Sequence, residues 1–367
     1  MNFPPQCGFP SLLQPDERMT DSSPPRTIDL LHELPAGFLD VSARHIRSLL
    51  PRPTLIHLPG QRPEPVFVSL LLHGNEDVGL KAVQQVLKEP LPGKLPRALS
   101  LFVGNVAAAA EGLRRLPGQV DFNRVWPGTD QPACPETVMM AQIVASMREQ
   151  NVFASIDLHN NTGTNPHYAC VCSTALPHLQ LATLFSRTVV YFIRPRGVQT
   201  MAFSLHCPSI TCECGKVGDL AGVHRAAELV RSCLHLARIP DHPVSTGDIH
   251  LFHTVATVLV PPEISIGFGP ERETADLMFP TDLDRLNFCE VGPGTELCSR
   301  PPHSNARLVI LNEAGEDVAA DYVSIVGNSL RLKKRLLPSM LTLDERVIRQ
   351  DCLCYFMERY ETVEKER

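Results

Sequence analysis

Residues Val66 to Leu72 form an apolar, β-forming run broken only by Ser69, and the run passes directly into His73, Gly74, Asn75 and Glu76. A segment with so few polar positions suits a strand buried on both faces, as in a parallel sheet covered by helices. From Asp77 to about Lys88 apolar residues return at helical spacing, so His73 and Glu76 fall in a strand-to-helix turn. Ligands of open α/β sheets bind outside the carboxyl ends of the strands. His-x-x-Glu at such an edge lets one imidazole and one carboxylate face a single metal ion. By itself a His-x-x-Glu is more often an ordinary turn or helix cap.

The same pattern recurs along the chain. Val41 to Leu50 has helical spacing, Thr54 to Leu58 reads as a short strand, and Ala98 to Gly104 as another with Asn105 at its exit. Glu136 to Gln150 is helical, and Val152 to Leu158 reads as a strand ending in His159, Asn160, Asn161, Thr162 and Gly163. Tyr168 to Ser173 and Val189 to Ile193 read as strands, Pro177 to Ser186 and Gly222 to Leu236 as helices. Ser209 to Gly215 alternates, placing Glu213 on one face of a strand with Cys212 and Cys214 on the other. Residues 106 to 136 form a long irregular segment holding Arg114, Arg115, Asp121, Asn123, Arg124 and Trp126. A loop of that length inside a compact domain is usually functional.

With 367 residues, the chain is expected to form one large and one smaller domain. Pro4, Pro5, Pro10, Pro15, Pro24 and Pro25 predict a flexible Pro-rich arm over 1–26. A catalytic α/β domain is expected over 27–240, a β-rich domain over 241–340 and a C-terminal helix over 341–367, where Leu343 to Tyr360 has helical spacing. The net charge is −6 with basic residues scattered, which argues against a nucleic-acid or membrane partner and for a small molecule. No apolar run approaches the roughly 20 residues of a membrane span, and the N-terminus lacks the order of a signal peptide, so a cytoplasmic protein is expected. The twelve cysteines are expected as buried, reduced thiols. Cys212-x-Cys214 and Cys352-x-Cys354 lack the spacing of a zinc ribbon.

Assembled on one sheet edge, His73, Glu76 and His159 would supply two imidazoles and one carboxylate, a catalytic zinc set that leaves a fourth position open. Such a metal lowers the pKa of a bound water towards ~7 and polarises the carbonyl under attack. Glu213 would take the water proton and return it to the leaving amine. Asp157, two positions before His159, shares its face and would orient that imidazole. Arg124 beside Asn123, with Arg114 upstream, would clamp a carboxylate or a developing oxyanion. Each has a plainer reading: Glu213 as a paired strand carboxylate, Asp157 as a turn cap, Asn123 and Arg124 as a loop-holding pair.

His73-Gly74-Asn75-Glu76, Asp121-Phe122-Asn123-Arg124, Asp157-Leu158-His159-Asn160-Asn161-Thr162 and Thr211-Cys212-Glu213-Cys214-Gly215 resemble the motifs of the aspartoacylase and succinylglutamate desuccinylase family in order and approximate spacing. The likeness spans about residues 66 to 220. It implies a zinc carboxypeptidase-like (M14-type) fold, a mixed sheet flanked by helices with a smaller C-terminal β-rich domain. The implied activity is zinc-dependent hydrolysis of the amide in a small N-acyl amino acid or related carboxylate, with one Zn2+ per chain. By motif, His73, Glu76 and His159 resemble the zinc ligands and Glu213 the general base. Arg114 resembles the carbonyl-polarising arginine, with Arg115 as the alternative, and Asn123 and Arg124 resemble the carboxylate binders. Aspartate-specific members carry a further arginine shortly before the catalytic glutamate, whereas Gln199 to Cys212 contains no Arg or Lys. Rival readings are a zinc carboxypeptidase on short peptides and a non-enzymatic zinc-binding regulatory protein. An intact Glu213 argues against the latter, since a structural zinc closes its fourth position with another ligand.

Overall fold

The structure is a computed structural model and describes residues 28–90, 93–269, 275–302 and 304–360. The arm expected over 1–26 lies outside the described residues. In chain order the strands are β1 (Asp29–Leu31), β2 (Thr54–Leu58), β3 (Gly60–Leu70), β4 (Leu95–Val103), β5 (Ala154–Asn161), β6 (Tyr168–Val171), β7 (Thr188–Tyr191), β8 (Ser209–Lys216) and β9 (His250–Leu259). They continue as β10 (Ile266–Phe268), β11 (Leu277–Phe279), β12 (Glu296–Ser299), β13 (Val309–Asn312), β14 (Val323–Val326), β15 (Ser329–Leu332), β16 (Leu337–Ser339) and β17 (Cys354–Arg359). The α-helices are α1 (Val78–Leu87), α2 (Val106–Glu111), α3 (Pro135–Glu149), α4 (Leu176–Phe185), α5 (Gln199–Phe203), α6 (Leu220–His235), α7 (Ala319–Tyr322) and α8 (Glu345–Gln350).

Twelve strands form one mixed sheet in the order β1-β2-β4-β3-β5-β8-β6-β7-β9-β17-β16, with β13 also paired to β9. At its centre β4, β3, β5 and β8 run parallel. Alternate residues of β3 enter different cores: Val66, Val68 and Leu70 pack with α1 and α6, while Phe67 packs with α3, α5 and Trp126. Helices on both faces therefore account for the unbroken apolar run. Each such side chain contributes about 1.5–3 kcal/mol relative to exposure. The β-rich C-terminal region is present as a five-stranded sheet, β10-β11-β12-β15-β14, with its own core around Leu277, Phe279, Leu297 and Leu330.

Three expectations are corrected. Residue 241 does not mark a break between sheets, because β9 pairs in parallel with β7, and β13, β16 and β17 extend the main sheet. Periodicity reports which face of a strand is buried but not which strand lies beside it. The helix expected over 341–367 is short: α8 ends at Gln350, and Cys354–Arg359 is a strand paired to β9. Cys352 to Met357 is nearly all apolar, and such a short run has no period that separates helix from strand. The helix expected over Val41–Leu50 is a tight 3-10 turn over Ala43–Ser48. The eleven described cysteines are free thiols, and among the described residues no helix is long and apolar enough to cross a membrane.

Helix α6, which covers the parallel centre of the sheet, begins at Asp219. One Asp219 oxygen accepts hydrogen bonds from Ala221 N at 2.9 Å and Gly222 N at 3.2 Å, and the other faces His167 Nε2 at 2.9 Å. The His167 contact, aided by the helix N–H groups, lowers the Asp219 pKa. A carboxyl lowered on folding stabilises above its unfolded value and loses that contribution as pH falls through the folded value. Asp219→Ala should therefore cost about 1 kcal/mol at pH 7. Denaturant titrations repeated at about pH 3 should show a smaller difference between the two proteins. An equal difference at both pH values would mean that the carboxylate charge plays no part in the cap.

Candidate active site

The register of three parallel strands assembles the site. β3, β5 and β8 set Ser69 beside Asp157, Asp157 beside Thr211 and His159 beside Glu213. β3 ends at Leu70, and Leu71 takes a positive φ of 55°, a conformation that costs a non-glycine residue on the order of 1 kcal/mol. It is held by Gly104 N donating to Leu70 O at 2.9 Å and Asn105 N to Leu71 O at 2.7 Å. This sharp exit turns His73 and Glu76 back over the edge that carries His159.

His73, Glu76 and His159 are all buried, with their ligand atoms within 4.8 Å of one another. Glu76 is straddled, Oε1 lying 2.9 Å from His73 Nδ1 and Oε2 2.8 Å from His159 Nδ1. The outer ring nitrogens face other carboxylates, His73 Nε2 at 3.1 Å from Asp121 and His159 Nε2 at 2.8 Å from Asp157. An ionised carboxylate only accepts, so each Nε2 carries a hydrogen. A neutral ring then aims a lone pair from Nδ1 at Glu76, an arrangement that calls for a proton or a cation in between. His73 Nδ1, despite its closeness to Glu76, makes no hydrogen bond. Two imidazoles and a carboxylate, with outer carboxylates orienting the rings, make a donor set that fits zinc.

Asp157 is fully buried and accepts from Ser69 Oγ at 2.6 Å, Asn123 Nδ2 at 2.9 Å and Thr211 Oγ1 at 3.4 Å, as well as facing His159. Asn123 lines the cavity, but its polar atoms are engaged: Nδ2 on Asp157 and Oδ1 on the N–H of Gln199 at 3.0 Å. The expected substrate binder thus ties the irregular loop to β5 and α5. Arg114 reaches the site, its guanidinium 3.3 Å from both Glu76 and Asp121 and 3.5 Å from Asp351. Arg115 turns aside to Gln119 O at 3.1 Å. Arg124 donates to Asn123 O at 2.8 Å and to Asp351 Oδ1 at 2.6 Å.

Two of these carboxylates went unassigned in the sequence. Asp121 lies within a recognised motif, so its position could have suggested a role. Asp351 carried no signal, since it stands 227 residues from Arg124.

The loop carrying Arg114, Asp121, Asn123 and Arg124 is anchored by Trp126. Its ring is fully buried at centroid distances of 6.4, 6.0 and 5.9 Å from Phe67, Phe102 and Phe203. A cavity opens beside the histidines, with Glu213 facing it and Tyr168, Val190, Phe192, Val198, Met340 and Tyr355 supplying an apolar wall. Glu213 Oε2 is shielded from solvent and has no hydrogen-bond partner. Burial pushes its carboxyl up, His159 opposes that, and Glu76 and Asp157 add to the rise, leaving it at about 7. Burial acts on Glu76 too, but there His73 and His159 outweigh it and hold the carboxyl well below its usual range. Two carboxylates in one site with pKa values pushed apart are suited to different tasks.

Residues 65–237 match the family of the succinylglutamate desuccinylase/aspartoacylase catalytic domain. A succinylglutamate desuccinylase of Serratia proteamaculans (strain 568) is 26% identical over 270 residues, 66% of this chain and 76% of that one. Among solved structures, a succinylglutamate desuccinylase/aspartoacylase from Rhodobacter sphaeroides superposes with a TM-score of 0.56 at 15% identity, covering 84% of this chain and 89% of its own. The succinylglutamate desuccinylase from Chromobacterium violaceum gives 0.51 at 17% identity over 82% and 86%. These structural likenesses show a shared fold.

Gly74, between the site residues of the first turn, meets α2 so closely that a Cβ would stand 2.2 Å from Ala109 N and 2.4 Å from Ala108 C. Both are backbone atoms and cannot swing away. Gly74→Ala should therefore lower unfolding free energy by about 3 kcal/mol, at the upper end for an overpacked interior. A loss under about 1 kcal/mol in denaturant titration would show that the turn can back away from the helix.

Proposed function

The chain belongs to the succinylglutamate desuccinylase and aspartoacylase family through the catalytic domain at residues 65–237, and from that premise we propose that it is a zinc-dependent hydrolase cleaving the amide of a small N-acyl amino acid. The observation that supports this most is Glu213: a shielded, unpartnered carboxylate oxygen with a pKa of about 7, in the same cavity as a buried His-Glu-His cluster. A site that only stored a metal would have no use for such a group.

In this reading His73 Nδ1, Glu76 and His159 Nδ1 hold the ion, with Asp121 and Asp157 fixing the two rings through Nε2. Bound zinc would supply a Lewis acid and a water of lowered pKa. Glu213 Oε2 removes a proton as the water oxygen bonds to the carbonyl carbon. It then delivers that proton to the amide nitrogen as the C–N bond breaks, leaving a carboxylate and a free amine. A group with a pKa near the working pH suits both transfers. Arg114, beside Glu76, adds positive charge where the carbonyl oxygen becomes negative. Arg124 and Arg194 are the further guanidinium groups on the cavity wall able to recognise a substrate carboxylate.

Purified protein should hold about one zinc per chain by elemental analysis, and His73→Ala or His159→Ala should lose it while remaining folded. Full occupancy in both variants would sink the ligand assignment. Glu213→Gln keeps the shape of the side chain but not its basicity, so zinc should stay and turnover of a panel of N-acyl amino acids should fall by ~10² or more. Loss of zinc in that variant would instead make Glu213 a ligand, and near-normal turnover would move the base elsewhere.

A further inference from the structure

Beyond Glu213 the floor of the cavity is one face of the main sheet. Tyr168 stands beside Glu213, and Cys170 stands between Thr211 and Val190. Thr254 of β9 and Tyr355 of β17 line the same cavity. Since β8, β6, β7, β9 and β17 are consecutive neighbours and strands lie about 4.8 Å apart, the floor runs across four strand spacings. Its side chains are uncharged, and burial raises the pKa of Tyr168, Cys170 and Tyr355, so all three stay neutral. Apart from the histidine cluster and Glu213, the charged groups of the lining are Arg114, Arg124, Arg194 and Asp351, which enter from connecting segments instead.

Met340 covers this floor from the C-terminal segment. It is partly buried against the cluster that contains Tyr168 and Val190, and it lines the cavity. Its φ is 64°, a conformation that costs a non-glycine residue free energy and persists only where the surroundings hold it. Here they hold it tightly. Met340 N donates to Asn165 Oδ1 at 3.0 Å, and the buried Asn287 grips Leu341 at both ends, accepting from its N–H at 2.8 Å and donating to its carbonyl at 2.9 Å. A Cβ at Gly163, in the segment that follows β5, would collide with Leu341 O. Phe288, with a φ of 58°, donates its N–H to Pro338 O at 2.8 Å and packs on Tyr168 at a ring distance of 4.8 Å. A glycine would adopt the Met340 conformation without that penalty, so the strain accompanies the placing of a long, adaptable apolar side chain at this point of the cavity.

We propose that Met340 closes an apolar subsite laid across β6, β7, β9 and β17, and thereby sets the length of the hydrocarbon group that the substrate carries. This rests on the deacylase reading for the histidine end of the cavity and adds the chemistry of the group beside it. The polar ends of the substrate stay with the cluster, Arg114, Arg124 and Arg194, while the hydrocarbon lies on the uncharged floor. Each methylene buried there strengthens binding about fourfold. A charged end laid on the same floor would be stripped of water against Tyr168, Val190 and Met340. The hydrocarbon belongs either to the acyl half of the substrate or to its amino-acid side chain, which present the same chemistry to the floor.

The test is calorimetric binding of two series of product-like probes to the zinc-loaded protein, which needs no turnover. The acyl arm runs through acetate, butyrate, hexanoate and octanoate, and the side-chain arm through alanine, norvaline, norleucine and α-aminooctanoate. In at least one arm, affinity for wild type should rise about fourfold per methylene and then stop at a limiting length. Met340→Ala should extend the rise by about two methylenes, roughly a tenfold gain for the first probe beyond the wild-type limit. Met340→Leu, of similar volume, should keep the limit. The arm that responds shows which half of the substrate occupies the subsite. A flat series, no binding of any probe, a rise without limit in wild type, or the same limit in Met340→Ala overturns the proposal. Met340→Gly, at ease with a positive φ, takes the place of the alanine variant should that fail to fold. If neither folds, the methyl resonance of Met340 in isotope-labelled wild type, assigned through Met340→Leu, decides: a shift on adding the longest probe within the limit supports the contact, and an unmoved resonance overturns it. A protein that sorts these probes yet hydrolyses no N-acyl amino acid keeps the subsite and loses the deacylase reading, and a deacylase indifferent to chain length does the reverse.

Discussion

The site depends on one fully buried carboxylate. Asp157 sits inside β5 with no exposure to solvent, and an anion there is tolerated only when its oxygens are filled with donors. Those donors come from β3 through Ser69, from β8 through Thr211 and from the irregular loop through Asn123, while His159 faces the same carboxylate. Satisfying Asp157 therefore requires three strands to be in register and the loop to be docked. The side chain that orients one of the site's histidines is also the one that makes the correct strand pairing favourable.

The loop has a second, independent anchor. The Trp126 ring lies among Phe67, Phe102 and Phe203, and its backbone N–H donates to Gly197 O at 3.0 Å. Aromatic burial of this size fixes a segment that has little regular structure of its own. Arg114, Asp121 and Arg124 can then be presented at defined positions without paying ordering entropy each time a ligand arrives. Asp121 turns that rigidity to use by meeting His73 and Arg114 together.

The C-terminal segment completes the cavity. Ser339, Met340, Asp351 and Tyr355 all line it, although they lie far along the chain from the motifs. They reach it because β16 and β17 join the main sheet beyond β9 rather than folding apart. Arg114 and Arg124 consequently share a partner, Asp351, that the sequence motifs do not include.

The apolar run before His73, the alternation around Glu213 and the polar ends of the strands were readable from residue order alone, because burial on two faces and alternation on one leave periodic marks. The same marks located α1, α3 and α6 and proposed His73, Glu76, His159, Asp157 and Glu213 as one constellation. Periodicity is local, and it failed where the deciding partner was distant. It took Cys354 to Arg359 for helix, because a short apolar run suits either state until β9 offers its backbone edge. It could not show that Asn123 also holds Asp157 and the N–H of Gln199, nor that Arg124 meets Asp351, because those partners come together only on folding. Residue order determined which groups the sheet edge can present, while tertiary structure decided which of those groups are left unpaired to do chemistry, since charges pair through space and not along the chain.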